Sequence, residues 1–169
     1  MEFARKITGE YIAGFVDGEG CFSLTYRKDK EKYFYWKASF AIALRKDDKS
    51  VLESIKEYFG SGNISYSRKN IRYEITDPEI LNKDIIPFFE KHQLIGKKKN
   101  DFNLWKEAIR IIVKNKRKSI NSSKGCRGFI NKEWNKDDLV RLSQIRENMQ
   151  LYKGGGKTRI FKHTAQGVV

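Results

Sequence analysis

Residues 12–20, with the sequence IAGFVDGEG, decide how the rest of this 169-residue chain is interpreted. They continue a helical pattern of apolar residues that begins at Ile7, with Thr8 as the predicted N-cap and the closing glycines as the predicted end. Glycine inside a helix costs about 0.5–1 kcal/mol relative to alanine. Gly14 and Gly18 therefore indicate either the close approach of a second helix or a helix that simply ends early. The small residues assigned to one helical face are Ala13, Gly14, Asp17 and Gly18.

Two carboxylates, Asp17 and Glu19, lie at the predicted C-terminal end of this helix. The helix dipole and the unpaired carbonyl groups make that end negative, so two acids there are unfavourable unless a cation neutralises them. Carboxylate, carbonyl and water oxygens are the ligands of Mg²⁺, Ca²⁺ and Mn²⁺. If the helix packs against its own copy, two such ends meet and form paired metal sites, which suit in-line displacement at phosphorus.

The remaining pattern predicts an α+β domain in the order α-β-β-α-β-β-α, followed by a C-terminal extension. Alternation with a period of two predicts two hairpins, at 21–44 and 64–75, each forming a sheet with its apolar face under helices. The other predicted elements are a helix from Asp47 or Asp48 to Gly60, a helix at 79–92 with Pro78 in its first turn, a helix over 102–113, a loop at 119–128 and a helix at 137–152.

Each predicted hairpin has a second face of Ser, Thr, Tyr, Lys, Arg and Glu side chains. A solvated polar face is ordinary for an antiparallel sheet. A pair of strands also fits the major groove of DNA, so the same pattern is consistent with a surface that reads bases. These two interpretations have equal weight at this stage.

The chain is strongly basic, with a formal net charge of +14, and residues 95–135 hold 12 basic residues against 3 acidic ones. A positive field of this size favours a polyanionic partner, and nucleic acid is the commonest polyanion inside cells. A face kept charged for solubility is the alternative interpretation. An anionic membrane surface is a weaker one, because no basic segment has an opposite face rich in Trp or Phe.

The sequence also bounds the compartment. Cys21 and Cys126 allow at most one disulfide, which fits a reducing environment. No apolar run approaches the roughly 20 residues that span a bilayer, and the N-terminal residues lack the apolar stretch of a secretory signal. We therefore expect an intracellular protein of the cytoplasm, the nucleoid or an organelle matrix, with no membrane partner.

The chain resembles a known family, the LAGLIDADG homing endonucleases, whose nine-residue signature matches residues 12–20. The order of elements to about residue 113 resembles that family's αββαββα core, in which antiparallel strands form a DNA-binding saddle. Residues 60–64 (Gly-Ser-Gly-Asn-Ile) resemble its turn into the third strand, and residues 94–98 (Leu-Ile-Gly-Lys-Lys) resemble the basic segment before its last core helix.

The resemblance also implies a domain organisation. An endonuclease domain is expected at 1–152, with its core at about 5–118 and a C-terminal loop and helix at 119–152. A basic, mobile tail is expected at 153–169.

Roles for the acidic end of the first helix follow from the resemblance. It implies that Glu19 is the catalytic acid and binds the metal, and that the carbonyl of Gly18 completes the coordination. The metal implied is Mg²⁺, and Mn²⁺ or Ca²⁺ may occupy the same sites. Asp17 is implied first as an interface and capping residue and second as a catalytic candidate.

Two further roles depend on the alignment. The family's lysine near the scissile phosphate falls on Lys97, with Lys98 as the alternative. The polar residue that positions water near the end of the second strand falls on Leu44, which is followed by Arg45. The chain therefore departs from the family pattern at this position, or the alignment is displaced by one residue.

The single motif implies a homodimer with twofold symmetry on a long, pseudo-palindromic duplex, with Ala13, Gly14 and Asp17 at the interface. The implied activity is site-specific, metal-dependent cleavage of both DNA strands, as in intron homing. The alternative is an RNA-binding intron maturase, or a DNA-binding regulator that does not cleave. The implied DNA contacts, each of which could instead be a solvated surface residue, are Arg27, Lys28, Tyr33, Tyr35, Lys37, Ser65, Ser67, Arg68, Lys69, Arg72, Glu74 and Lys98.

Overall fold

The structure is a computed structural model that describes residues 7–28, 34–115, 119–121, 127–129 and 134–151. Within these ranges no helix is both long and apolar enough to cross a bilayer. The helices and strands are α1 (Gly9–Glu19), β1 (Gly20–Lys28), β2 (Phe34–Arg45), a 3₁₀ turn (Lys46–Asp48), α2 (Lys49–Phe59), β3 (Asn63–Tyr66), β4 (Asn70–Ile75), α3 (Pro78–Ile80, Leu81–Ile85 and Ile86–Lys91 in succession), α4 (Lys98–Asn115), β5 (Ser119–Asn121), β6 (Arg127–Phe129) and α5 (Lys136–Leu151).

The ends of α1 follow the sequence prediction. The Thr8 hydroxyl oxygen accepts a hydrogen bond from the backbone N–H of Tyr11 at 3.2 Å, which confirms the N-cap. At the other end the N–H of Gly20 donates to the carbonyl of Val16. A Cβ atom at Gly20 would lie 2.4 Å from Val16 Cγ1, so only glycine allows the chain to pass directly from α1 into β1.

The two hairpins form one antiparallel sheet, in the strand order β1-β2-β4-β3. The prediction of two separate sheets is wrong, because β2 pairs with β1 along one edge and with β4 along the other, from Phe40 opposite Ile75 to Arg45 opposite Asn70. The free edge of each hairpin would leave a row of unpaired N–H and C=O groups. Joining the hairpins satisfies those groups and builds a single face.

The core lies between this sheet and the helices. Its centre is Phe22 of β1, whose ring lies 5.1–5.5 Å from the rings of four other aromatic residues. These partners come from β2, α3 and α4, so the cluster joins the sheet to two helices; they are Phe40, Phe89, Phe102 and Trp105. The predicted alternation in β1 and β2 is confirmed, since Phe22, Leu24, Trp36, Ala38, Phe40 and Ile42 are all buried.

The helix predicted at 79–92 is interrupted rather than uniform. α3 consists of an α-helical turn at Pro78–Ile80, a π-helical turn at Leu81–Ile85 and an α-helical stretch at Ile86–Lys91. Pro78 lies in the first turn as predicted, and the Asp77 side chain caps it. The π-helical turn ends two residues before Pro87, which has no N–H and whose ring crowds the preceding turn, so the wider turn makes room for that ring.

The C-terminal extension differs from the prediction in one part and agrees in another. The loop predicted at 119–128 contains two short strands, β5 and β6, which pair with each other. The helix predicted at 137–152 is present as α5 and packs on α4. Arg141 of α5 donates to Glu107 of α4 through two nitrogens, at 2.6 and 2.8 Å. The predicted tail at 153–169 lies outside the described residues.

Buried residues of α5 predict that this helix belongs to the cooperative core. Leu142, Ile145 and Met149 are buried, and Ile145 is 0% exposed. We expect Ile145→Ala to lower the free energy of unfolding by about 2–5 kcal/mol, because it leaves a cavity under α4. The matched control is Val140→Ala on the outer face of the same helix, where the side chain is 57% exposed and the expected change is within about 0.5 kcal/mol. Urea unfolding measures both. Equal, small effects would mean that α5 is not part of the domain core.

Candidate metal centre and nucleic-acid interface

A lysine ammonium occupies the C-terminal end of α1. Lys98 Nζ donates to the backbone carbonyl of Asp17 at 2.8 Å and to that of Gly18 at 2.5 Å. The end of a helix is negative because its last carbonyls have no helical partner, so a cation is stabilised there. The expectation that a cation neutralises this acidic end is therefore met from within the chain.

The two candidate lysines differ in this contact. Lys97 is exposed, whereas Lys98 is half-buried and reaches the helix end. The geometry therefore places Lys98, the alternative of the two predicted lysines, beside the acidic motif, and the role near the phosphate stays a prediction. The two lysines differ because α4 begins at Lys98, so this side chain leaves the first helical turn towards α1 while Lys97 still belongs to the connecting segment.

The carboxylate of Asp17 is engaged within the chain. Its Oδ2 atom accepts hydrogen bonds from the backbone N–H groups of Ile95 and Gly96, at 2.7 and 3.1 Å. A Cβ atom at Gly96 would lie 3.2 Å from Asp17 Oδ1, so glycine lets this segment approach closely. Asp17 therefore acts as a structural anchor, and this geometry does not support the predicted catalytic role or a place in an interface with another molecule.

Glu19 is the acid of the motif that remains a candidate metal ligand. It is the last residue of α1, and its side chain is exposed. Its carboxylate offers oxygen donors of the type that Mg²⁺, Mn²⁺ and Ca²⁺ prefer. The Gly18 carbonyl, the other predicted donor, already accepts a hydrogen bond from Lys98 and has one lone pair left. Among the residues that the structure describes, no three His, Cys, Asp or Glu side chains converge on a point that could hold a metal ion. The described residues of one chain therefore do not form a complete metal site, and Glu19 stays a candidate ligand.

One face of α1 is open. Among the described residues, a Cβ atom added at Gly14 or Gly18 would meet no atom within 4 Å outside its own stretch of helix. Tyr11 is 50% exposed and stacks on Phe15 with ring centroids 5.9 Å apart. We call these four residues, Tyr11, Gly14, Phe15 and Gly18, the α1 stripe, because their spacing puts them on one side of the helix.

Ala13 does not belong to that open face. It is 5% exposed and points into the core of its own chain. The prediction that placed Ala13 at a dimer interface is therefore wrong. Successive residues of a helix are turned by about 100°, so Ala13 and Gly14 cannot both face outward in the same direction.

The second face of the sheet, which we call the open face, is polar. Register places Ser23 opposite Ser39, Thr25 opposite Lys37 and Arg27 opposite Tyr35, with Arg72 and Glu74 on β4. Six of the predicted DNA contacts therefore share one surface, namely Arg27, Tyr35, Lys37, Ser65, Arg72 and Glu74.

Other predicted contacts lie at the border of this surface or outside the described part. Arg68 and Lys69 are exposed in the turn between β3 and β4. Ser67 closes that turn, since its hydroxyl group bonds with both the N–H and the carbonyl of Asn70 at 3.2 Å. Lys28 lies at the end of β1, but its side chain and Tyr33 lie outside the described residues.

A hydrogen-bond network crosses the middle of the open face. The hydroxyl groups of Ser23 and Ser39 lie 2.7 Å apart, and Arg72 Nη2 donates to Glu74 Oε1 at 2.9 Å. Partial burial raises the pKa of the Glu74 carboxyl. The hydrogen bond and charge of Arg72, the charge of Lys37 and a hydrogen bond from Ser39 outweigh that effect, so the pKa lies below its ordinary value. Ser39 is buried and was not among the predicted site residues.

Much of the basic charge on α4 is paired. Lys106 and Arg110 both contact Glu90, at 3.1 and 3.3 Å, and Lys114 contacts Asp138 at 2.9 Å. The open face instead carries five predicted basic contacts in or beside it against one acid, Glu74. In the described part of the chain, the open face is therefore a positive surface available to a polyanion, while Lys97 and Lys99 are also exposed at the start of α4.

Leu44 does not offer a polar group to water. Its side chain is half-buried and packs against the core, opposite Ile71 of β4. The next residue, Arg45, is exposed and lies 3.4 Å from Asp47. Leu44 is therefore not an equivalent of the polar residue that positions water in the family.

Comparison with known proteins gives a family and a set of relatives. A sequence model of the LAGLIDADG endonuclease family matches residues 12–109. The chain is 34% identical over 121 residues to the probable intron-encoded endonuclease 2 of Neurospora crassa, covering 68% of this chain and 26% of that protein. It is 22% identical over 143 residues to the homing endonuclease I-ApeII of Aeropyrum pernix, covering 83% of this chain and 84% of that protein. The chain therefore spans about a quarter of the length of the Neurospora relative.

Solved structures share the fold. The structure of I-SmaMI bound to an uncleaved DNA target in the presence of calcium ions matches with a TM-score of 0.72 and 27% identity, covering 90% of this chain and 47% of that one. The homing endonuclease I-TnaI matches with a TM-score of 0.67 and 22% identity, covering 88% of this chain and 97% of that one. The single antiparallel sheet under helices, the nonapeptide at the end of α1 and the family match over more than half of the sequence agree, and the chain belongs to the LAGLIDADG endonuclease family.

Proposed function

We propose that this chain is a divalent-metal-dependent endonuclease that cuts both strands of a specific, pseudo-palindromic DNA site as a homodimer. The observation that supports this most directly is the exposed carboxylate of Glu19, at the end of a helix whose outer face is open. The next residue, Gly20, begins β1, so this acid lies where α1 meets the sheet. The acid that we propose as the metal ligand thus lies beside both a candidate interface and a candidate DNA surface.

The open face supports duplex DNA as the substrate. It combines arginine, lysine, tyrosine and serine side chains, which bind phosphates and base edges. A relative of the same fold, I-SmaMI, has been solved bound to an uncleaved DNA target with calcium ions present. We therefore assign the open face to the major groove, where an antiparallel strand pair fits.

The reaction follows from the groups at the end of α1. Glu19 and the Gly18 carbonyl would hold part of the coordination shell of Mg²⁺. A divalent ion bound there supplies Lewis-acid stabilisation of the negative charge that develops at phosphorus during hydrolysis. Lys98, whose ammonium lies at the same helix end, adds a positive charge that favours the approach of a phosphate group.

The α1 stripe supports association with a second copy of the chain. Glycine at positions 14 and 18 lets the backbones of two helices approach closely, and Tyr11 and Phe15 offer apolar surface beside them. A twofold axis through this contact brings both Glu19 side chains together, one for each DNA strand. The chain spans about half of I-SmaMI but 97% of the I-TnaI chain.

Removal of the proposed metal ligand tests the reaction. We expect Glu19→Gln to slow cleavage of DNA libraries in Mg²⁺ by at least about 100-fold, while the affinity for duplex changes only a few-fold because phosphate contacts dominate binding. Glu57→Gln, at an exposed acid of α2, is the matched control and should cleave as the wild type does.

Cleavage by Glu19→Gln at the wild-type rate would remove this residue from the mechanism. Wild-type DNA binding without cleavage in Mg²⁺ would favour a regulator. RNA binding that is insensitive to EDTA, without DNA cleavage, would favour a maturase.

Substitution of two adjacent lysines tests which of them supplies the positive charge beside the proposed metal site. We expect Lys98→Met to slow cleavage by about 100-fold, the size seen when one positioned donor is removed from a site of developing charge. Lys97→Met should change the rate by less than about threefold, because an exposed surface charge contributes little. Thermal unfolding of both variants checks that they are folded. The reverse order of effects would restore Lys97 as the functional lysine.

The proposed dimer is tested at Gly14, where the protomer leaves space for a larger side chain. A side chain at Gly14 meets nothing within 4 Å in the chain, so Gly14→Val should fold normally and should lower the dimer fraction by at least about tenfold through a clash with the second copy. Lys56→Val places the same side chain on the exposed face of α2 and is the control. Sedimentation velocity measures the mass of both. An unchanged dimer in Gly14→Val would show that the two copies meet elsewhere.

A further inference from the structure

An arginine and a glutamate form an ion pair near the centre of the open face. Arg72 and Glu74 lie two residues apart on β4, so both point to the same side of the sheet, and Arg72 Nη2 donates to Glu74 Oε1 at 2.9 Å. β4 is an interior strand, with β2 on one side and β3 on the other. The pair therefore lies in the interior of the sheet rather than on an outer strand.

Glu74 is not suited to direct contact with the DNA backbone. A carboxylate on a surface that receives a polyanion is repelled by phosphate, and no phosphate oxygen can accept a bond from it. Its surroundings favour the ionised form: Arg72 bonds to it, and Ser39 and Lys37 of the neighbouring strand β2 contribute a hydrogen bond and a positive charge. The side chain is the less exposed member of the pair, at 28% against 42% for Arg72.

Arg72 has further hydrogen-bond donors besides the one that Glu74 accepts, and its side chain is partly exposed. Guanidinium has five N–H donors in one plane, and the contact with Glu74 uses only one nitrogen. The cross-strand neighbours of Arg72 are Ala43 and Ser65, both small, so no bulky side chain covers it. An arginine already held by a carboxylate loses less rotamer freedom on binding than a mobile one.

We propose that Arg72 reads a guanine in the major groove and that Glu74 is a positioning residue that orients it. This inference rests on the proposed DNA-binding function and assigns a base preference to one position in each half of the target. Arginine donates in fork geometry to O6 and N7 of guanine, a pattern that no other base presents. Glu74 sets the direction of the fork and contributes no direct contact with DNA.

The test uses site selection in a background that cannot cut. Each variant is made together with Glu19→Gln and is used to enrich a randomised duplex library, and the bound fraction is sequenced. Arg72→Lys keeps the charge but loses the fork, Glu74→Ala removes the partner carboxylate, and Lys69→Ala is the matched control in the exposed turn beside the sheet. Thermal unfolding confirms that all variants are folded.

We expect the Arg72→Lys variant to lose a guanine preference at one position per half-site by roughly 10- to 100-fold, with the other positions unchanged. Glu74→Ala should weaken the preference at that same position. Its affinity for duplexes without the guanine should stay equal or rise, because a repulsive charge is removed. Lys69→Ala should leave all base preferences as they are and weaken binding uniformly.

Three results would overturn the inference, and they separate it from the proposed function. A preference pattern unchanged by Arg72→Lys, with uniformly weaker binding, would make Arg72 a phosphate contact. Loss of a cytosine preference at a different position in Glu74→Ala would make Glu74 itself a base reader. In both cases sequence-specific DNA binding would still stand. Failure of the Glu19→Gln background to enrich any sequence would remove the proposed DNA-reading function and this inference with it.

Discussion

The contact between the end of α1 and the segment before α4 is the constraint on which the candidate site depends. Asp17 accepts the N–H groups of Ile95 and Gly96, and Lys98 donates to the last carbonyls of the helix. Hydrogen bonds between charged side chains and backbone groups thus fasten two parts of the chain that are about 80 residues apart in sequence. With Asp17 engaged in this way, Glu19 is the motif acid left exposed at the helix end, where the proposed function needs it.

The same helix connects the three surfaces that the proposed function needs. Its buried side, which includes Ile12, Ala13 and Val16, fixes α1 to the core, and its opposite side is open at Gly14 and Gly18. Its C-terminal end passes into β1 without a linker, so the position of Glu19 is tied to the sheet. A shift of α1 would therefore move its outer face, its acidic end and the start of β1 together. The proposed association of two copies through that outer face would account for glycines in a helix that propensity alone disfavours.

The position of the positive surface could not be judged from charge counts. The part of the basic stretch that the structure describes includes α4, where Lys106, Arg110 and Lys114 are paired with acids of neighbouring helices. On the described strands, the basic residues of the open face lie with one acid, Glu74. Basic residues two positions apart on a strand point to the same side of the sheet, so their charges add on that side. Basic residues along a helix point in several directions, so some of them lie beside acidic residues of neighbouring helices.

The sequence by itself determined the order of the elements as far as α4, the caps of α1, the buried face of β1 and β2, and the acid at the end of α1. These features depend on local periodicity and on residues adjacent in the chain. Tertiary structure decided the rest. The choice of Lys98 over Lys97 depends on where α4 begins relative to α1, and the single sheet depends on which edge of β2 meets β4. The exclusion of Ala13 from the open face depends on the angle at which α1 lies on the core. Each of these contacts joins groups far apart in sequence, where no local pattern specifies distance or direction.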